Sequence, residues 1–268
     1  MTVKYIFRTL GAAVCILMFS TSVQADHRWG AYHWARSAAV EINLKVVNST
    51  TGDWTPVLSD SIAEWNVSEI FELGIDRDDT SKRTRKRCNS VTGQMRVCNA
   101  AYGYNGWLGM ATINIDAESH IVKGTAKVND SYSSYWAIEG EMNHVLCQEM
   151  GHVFGLGHTS EDGSSQLTCM DYSSDPGSQW PNEHDYDLLT VIYDQVDAYN
   201  SYDDSVGGGG GGDTKPCRGK KCPNFGEPEI PPMGVRVHRG RNHEVWVARG
   251  RADSLWIHHV RLVPEEYR

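Results

Sequence analysis

A run of twelve residues, CQEMGHVFGLGH at positions 147–158, holds the side chains best suited to chemistry. It matches the metal-binding pattern HExxHxxGxxH at every position except the first, where Gln148 replaces histidine. Residues four apart lie on one face of a helix, so Gln148 and His152 can reach one metal ion. Glu149, one step around the helix, can reach a water molecule beside that ion. The segment therefore predicts a metal centre with an adjacent carboxylate that activates water.

The last part of the pattern predicts how the chain leaves this helix. Gly155 stands three residues after His152, where a left-handed backbone conformation would end the helix without strain. The turn that follows would bring His158 back towards the metal as a third ligand. We therefore expect Gln148, His152 and His158 to form the ligand set.

A second motif is the run TCMDY at positions 168–172, whose Met170 lies twelve residues after His158. Together the two motifs resemble those of the metzincin clan of zinc metallopeptidases, in which a methionine turn follows the metal-binding helix. The resemblance covers roughly residues 27 to 200. Thr159, directly after the third expected ligand, is nearer to the serine of the matrixin branch than to the residues of other branches.

The resemblance implies a fold, a metal and roles for particular residues. The fold would be α+β and zincin-like: a twisted mixed β-sheet with the active-site helix, then a small C-terminal subdomain with the methionine turn and a closing helix. The metal would be Zn²⁺, with Glu149 as general base for hydrolysis of peptide bonds. Met170 would form the floor under the metal, and Tyr172 would act as an extra ligand or as an oxyanion stabiliser.

The glutamine at position 148 is the departure from the clan pattern. A carboxamide oxygen is a poorer zinc donor than imidazole, so we expect a lower metal affinity. His144 lies four residues earlier on the same helix face and could accept a hydrogen bond from the Gln148 amide nitrogen, which would turn the oxygen towards the metal. An exposed helix residue without that role is an equally good interpretation of His144.

Two functions remain open from the residues. The first is a secreted zinc metalloendopeptidase that tolerates Gln148 as a ligand. The alternative is a catalytically weak or inactive pseudo-peptidase that acts as an extracellular binding module. Glu149 contributes nothing obvious to folding, so its presence favours the first hypothesis. The partner would be a protein or peptide substrate, and we expect a monomer.

Export is predicted by the first residues. Residues 1–25 have a short basic start, an apolar run from Leu10 to Phe19, and small residues before Asp26, as a secretory signal peptide does. The protein would be secreted, extracellular or periplasmic. The apolar run is too short for a membrane span, and no other stretch comes near the ~18 apolar residues that a span needs.

Six cysteines follow the predicted signal peptide, an even number that suits an oxidising compartment. Cys88 and Cys98 flank a predicted hairpin, and Cys217 and Cys222 close a small loop. Cys147 and Cys169 each precede a motif residue, so a bridge between them would join the active-site helix to the methionine turn. The rival hypothesis makes one of this last pair a thiolate zinc ligand, although Cys147 is rotated by about 100° from Gln148 on the helix.

Alternating and helical patterns predict the elements around these motifs. We expect strands at 40–46, 71–75, 107–115 and 121–128. The resemblance to the metzincins implies that 121–128 is the antiparallel edge strand that pairs with a bound peptide, and an ordinary sheet strand is at least as good an interpretation. We expect one helix capped by Thr55 and a closing helix capped by Asn182. The polar, basic segment from Arg77 to Arg87 is interpreted as a solvated loop.

Composition divides the chain into a peptidase domain at 26–206, a glycine-rich linker at 207–216 and a small, basic, β-rich tail at 217–268. Residues 26–212 carry 12 Lys or Arg against 27 Asp or Glu, a net charge of −15, while residues 213–268 carry 11 against 7, a net charge of +4. The acidic body argues against nucleic acid as a partner. The basic tail could dock on that body or on an anionic surface or polymer.

Overall fold

A mixed β-sheet of nine strands is the frame of the computed structural model, which describes residues 26–203 and 231–267. Sheet and helices together make an α+β fold, as the sequence predicts. The strands are β1 (His33–Trp34), β2 (Ile42–Ser49), β3 (Phe71–Asp78), β4 (Met95–Ala100), β5 (Trp107–Ile115), β6 (His120–Asn129), β7 (Val235–Arg239), β8 (His243–Arg249) and β9 (Leu255–Leu262).

Five helices accompany the sheet: α1 (Trp54–Trp65), α2 (Lys82–Arg87), α3 (Ser133–Trp136), α4 (Glu141–Val153) and α5 (Glu183–Ile192). The predicted cap of the closing helix is confirmed, because Asn182 forms a full capping box with Asp185 at the start of α5. The prediction for α1 was wrong by two residues, since Asp53 holds the cap position and Thr55 lies inside the helix.

The basic segment that we expected to be a loop is partly helical. Ser81 accepts a hydrogen bond from the Thr84 backbone and so caps α2, which carries most of the basic side chains. Arg85 then donates to the carbonyl of Asn99 on β4. These contacts fix the end of the segment against the sheet, which composition alone does not indicate.

One half of the sheet is parallel and carries the hydrophobic core. Strands β3, β2, β4 and β6 run parallel in that order, and β1 pairs with the start of β6. Helices α1 and α4 pack together, α1 against β3 and α4 against β6 and the antiparallel β5. Trp65, at the end of α1, lies edge-on to Phe154 after α4, and both are fully buried. Burial of such large aromatic side chains fixes α4 against the sheet.

Residues 121–128 were the candidate edge strand, and that interpretation was wrong. β6 lies inside the sheet, between parallel β4 and antiparallel β5. β5 is therefore the antiparallel strand beside α4, and its outer edge is the one next to the predicted site. That edge is taken: β9 pairs with β5 from Trp107 to Ile115 in an antiparallel ladder.

The C-terminal segment continues the sheet of the preceding domain. β8 pairs with β9 and β7 pairs with β8, so the order beyond β5 is β9, β8, β7. Ile257 and Val263 belong to the hydrophobic core that also holds the residues of α4. From composition we expected the domain to end before the glycine-rich linker. Sequence patterns do not show which strands pair across such a linker.

The described residues contain two of the three expected disulfides. Cys88 is bonded to Cys98, and Cys147 to Cys169, with Cα–Cα distances of 6.0 and 5.9 Å. The expected signal peptide, the linker at 207–216 and the Cys217–Cys222 pair lie outside the described residues. None of the helices in the described ranges has the length and apolar character needed to cross a membrane.

If the C-terminal strands β7 to β9 unfold together with the helices, a cavity at a side chain of β9 will destabilise the helices. We predict that Ile257→Ala, at a side chain 3% exposed, lowers the free energy of unfolding by about 2–5 kcal/mol. The readout is urea unfolding followed by far-ultraviolet circular dichroism, because the five helices all lie before residue 204.

Val237→Ala on β7 is the matched control, since that side chain is 60% exposed and its loss should change the free energy of unfolding by less than about 0.5 kcal/mol. Equal unfolding curves for Ile257→Ala and the original chain would show that strands β7 to β9 unfold independently of the helices.

Candidate metal centre

Helix α4 points the polar side chains of the motif into the protein interior. The helix begins after Gly140, which has a φ of +83°, and it ends at Val153. His144, Gln148, Glu149 and His152 are all buried, at 0–2% exposure. Polar side chains in that setting need partners, so their contacts indicate what the site is built to hold.

The exit from α4 follows the predicted course. Gly155 has a φ of +96°, and a Cβ there would overlap the carbonyl of Tyr32, so both the conformation and the close approach require glycine. Gly157 then donates to the carbonyl of His27 at 2.5 Å. This turn returns the chain towards the helix and places His158 beside His152.

The two motif histidines face each other through their Nε2 atoms, which are 3.1 Å apart. The other nitrogen of each ring has an oxygen partner: His152 Nδ1 lies 2.8 Å from the carbonyl of Leu156, and His158 Nδ1 lies 3.2 Å from the carboxylate of Glu161. If each Nδ1 carries the proton that its oxygen partner accepts, two Nε2 lone pairs face each other. Two nitrogens bound tetrahedrally to one zinc ion would be about 3.3 Å apart, so the pair fits a metal ion.

The methionine turn lies under α4. The Cys147–Cys169 disulfide joins the helix to the turn, and the Thr159 backbone donates to the carbonyl of Met170 at 2.9 Å. Met170 is fully buried, and its thioether fills the space that a Cβ on Gly151 would occupy. The turn is therefore in place to support the helix face, and because Cys147 and Cys169 are bonded to each other neither is a free thiolate.

Glu149 is a buried carboxyl group that the fold leaves without hydrogen bonds. Neither of its oxygens has a partner among the described residues, and its side chain occupies the space beside Gly109 on β5. Burial raises the pKa of Glu149 to about 8, while the charge of Arg261, a weak contact with the Ala111 backbone and the charge of Lys127 act in the opposite direction. A carboxyl group with a pKa near neutrality suits proton transfer.

Tyr172 reaches the same place from the methionine turn. Its ring lies 4.4 Å from that of His158, centroid to centroid, and its buried hydroxyl has no hydrogen-bond partner in the described part of the chain. The guanidinium of Arg261 lies over the ring at 5.3 Å. Burial raises the pKa of Tyr172 well above its usual value, so the hydroxyl keeps its proton and can donate it in a hydrogen bond.

Gln148 makes three hydrogen bonds, and none involves His144. Its amide nitrogen donates to the carbonyls of Cys169 and Asp171 at 3.0 and 2.8 Å, and its oxygen accepts from Arg261 Nη1 at 3.0 Å. The expected hydrogen bond from Gln148 to His144 is thus replaced by a shared acceptor, because His144 Nε2 also contacts the Asp171 carbonyl, at 2.9 Å.

The C-terminal strand brings further groups that the motifs do not indicate. His259 on β9 lies 4.0 Å from His152 and 4.5 Å from His158, measured between ring centroids. One ring nitrogen of each of these three histidines lies within 4.8 Å of the other two. His243 on β8 stacks on His259 at 5.0 Å. Only the pair His258-His259 in a strand-like run could have signalled this from sequence.

These imidazoles are held neutral, as metal ligands must be. Burial lowers the pKa of His152 to about 3 and places the pKa values of His158 and His259 well below the usual range. Neighbouring imidazoles lower all three pKa values further, and Arg261 also lowers those of His152 and His158. Neutral imidazole nitrogens in a buried cluster are ligands that suit Zn²⁺.

No protein-family model matches this chain, and no curated protein matches it either. Among solved structures the chain is similar to an archaemetzincin from Methanopyrus kandleri, with 14% sequence identity and a TM-score of 0.34. The similarity covers 57% of this chain and 97% of the archaemetzincin chain.

The position of Glu149 depends on the missing side chain at residue 109. We predict that Gly109→Ala destabilises the chain by about 1–3 kcal/mol, because the added methyl group overlaps the Glu149 carboxylate and Val145. Gly74→Ala on β3 is the matched control, since a Cβ there meets no atom within 4 Å. Thermal unfolding of both variants measures the difference, and equal stability would mean that Glu149 does not lie against Gly109.

Proposed function

We propose that this chain is a secreted zinc-dependent metalloendopeptidase with Glu149 as its general base. One observation carries the proposal: the buried carboxyl group of Glu149 lies near Tyr172, whose ring contacts His158, and the Nε2 atoms of His158 and His152 face each other at 3.1 Å. A structural role explains both features poorly, because a buried carboxyl group without partners is costly and two Nε2 lone pairs that face each other repel. A metal ion and a water molecule would supply partners to both.

His152 and His158 are the two helix-motif residues that would hold the ion. When bound, zinc supplies a Lewis acid that acidifies water and polarises a carbonyl group. The contacts of the Nδ1 atoms with Leu156 and Glu161 would fix the orientation of both rings, as outer partners of metal-binding histidines do.

The chain's own groups would move the proton. Glu149 would accept a proton from water as the water attacks the scissile carbonyl, and it would then donate that proton to the leaving amine. The Tyr172 hydroxyl, which has no other partner, would donate a hydrogen bond to the oxyanion. Met170 would support the ligands from below through its contact with Gly151.

Export and the substrate class follow from the same hypothesis. Two disulfides suit an oxidising compartment, which agrees with the signal peptide expected at residues 1–25. The substrates would be peptide segments of proteins, and no nucleic acid or organic cofactor is required.

A specific observation favours the second candidate, a metal-binding module without hydrolytic activity. β9 takes the outer edge of β5, and Glu149 beneath it is fully buried. A peptide must reach that carboxylate to be cleaved, so the covered site would suit a chain that holds metal and does not turn over. The two candidates differ in activity and agree on the metal.

The Glu149→Gln variant tests the peptidase. We predict that the exported full chain, with zinc, cleaves casein or a quenched-fluorescence peptide library, and that Glu149→Gln lowers the rate by roughly 10²–10⁴-fold. Zinc content should be retained, because Glu149 is not a ligand in this account. Zinc in both proteins without cleavage in either would establish the metal-binding module instead.

Tyr172→Phe tests the oxyanion role. Loss of the hydroxyl should lower kcat by up to roughly 10²–10³-fold with little change in KM, since the hydrogen bond would form only as the oxyanion develops. Tyr104→Phe is the control, because Tyr104 is 82% exposed. An unchanged kcat for Tyr172→Phe would assign this tyrosine to packing against His158.

A further inference from the structure

The active-site helix supplies two imidazoles where its pattern calls for three. His152 and His158 are present, and position 148 is a glutamine. A third imidazole is nevertheless in the cluster, from a strand more than a hundred residues later. His259 is 3% exposed, and its Nδ1 is buried without a hydrogen-bond partner among the described residues.

Gln148 is fully engaged elsewhere. Its amide group makes two hydrogen bonds to the methionine turn and one to Arg261. A neutral imidazole could not reproduce these three hydrogen bonds, because it has one donor and one acceptor, whereas the carboxamide uses two donors and one acceptor. The oxygen that would have to bind a cation already faces a guanidinium, and a second positive charge on the same atom would be repelled.

Arg261 explains how His259 comes to its place. Residues two apart on a strand share a face, so Arg261 and His259 both point from β9 towards α4. Arg261 Nη1 contacts Gln148, and Nη2 lies 3.5 Å from the carboxylate of Glu141, one to two turns earlier on the helix. These contacts, with the pairing of His259 to Ala111 on β5, fix the register of β9 over the site.

We propose that His152, His158 and His259 form a three-histidine site for zinc, and that Gln148 binds the C-terminal strand and not the metal. The inference deepens the proposed function, because it names the third ligand of the same site. It also gives the C-terminal segment a role: the strand completes the metal centre in place of the histidine that the helix lacks.

A neighbouring group could compete for the same ion. His158, Glu161 and His243 also offer one ligand atom each within 4.8 Å. The Glu161 carboxylate contacts Nδ1 of His158, and the Nε2 atom of the same ring faces His152. The carboxylate therefore fits an orienting role, as in carboxylate–histidine–zinc arrangements, and His243 stacks on His259 from outside.

Metal titration of the exported full chain tests the inference without any substrate. We expect His259→Gln to weaken zinc binding by at least about 100-fold, since loss of an outer partner alone costs about 10–100-fold. His258→Gln is the matched control: His258 is the preceding residue on the opposite face, bonded to Thr112 and to the Pro232 carbonyl. His243→Gln should bind zinc as the original chain does.

Cobalt substitution tests direct ligation. In His259→Cys a thiolate would replace the imidazole, and bound Co²⁺ should gain a sulfur-to-cobalt charge-transfer band in the near ultraviolet, while His258→Cys should not. This variant also keeps the test valid if His259→Gln fails to fold.

Zinc binding unchanged in a folded His259→Gln, or absence of the band in a folded, cobalt-loaded His259→Cys, would overturn the inference. A loss of zinc from His243→Gln with His259→Gln unaffected would overturn it in favour of the neighbouring group. Because no step measures hydrolysis, a chain that binds zinc through His259 but cleaves nothing would refute the peptidase alone.

Discussion

The contact between Arg261 and Gln148 is the interaction on which the site depends. It joins β9 to the centre of α4 and lies within a buried group that includes Glu141. A buried guanidinium needs such partners, because removing one would leave an uncompensated charge in the interior. The same contact accounts for the glutamine at a position where the motif calls for histidine: the helix exchanges a ligand for an anchor, and the anchored strand carries an imidazole.

The sheet makes this exchange feasible. β5 is antiparallel to β6 and would have an open edge beside the active-site helix, and β9 closes that edge with a full ladder. An open strand edge is a binding site for any extended chain, so its occupant decides what can reach the helix. Here the occupant belongs to the same chain, and it buries Glu149 together with the imidazoles.

Local patterns predicted the parts of this structure that depend on neighbours in sequence. The spacing within α4, the left-handed glycine after it, the cap of α5 and two disulfides follow from helix geometry, backbone sterics and the proximity of motif residues. His259 and Arg261 could not be assigned in this way. Their roles depend on strand pairing across a segment of glycine and proline, and the alternation of a strand shows which residues share a face without showing what that face meets.

The contacts of Gln148 also show what local sequence patterns cannot predict. The motif is defined by its ligands, so the pattern predicts a weakened ligand at this position. The structure surrounds Gln148 with the carbonyls of Cys169 and Asp171 in the methionine turn and with Arg261 on β9, so its partners come from two separate parts of the chain. A substitution inside a motif can therefore be compensated by a residue that the motif does not contain.

A crystal structure of the zinc-loaded full chain, with anomalous data at the zinc edge, tests the central claim most directly. The account predicts one anomalous peak about 2.0–2.1 Å from a ring nitrogen of each of His152, His158 and His259, with Gln148 still bonded to Arg261. A peak coordinated by Gln148, His152 and His158, with β9 away from the site, would contradict it.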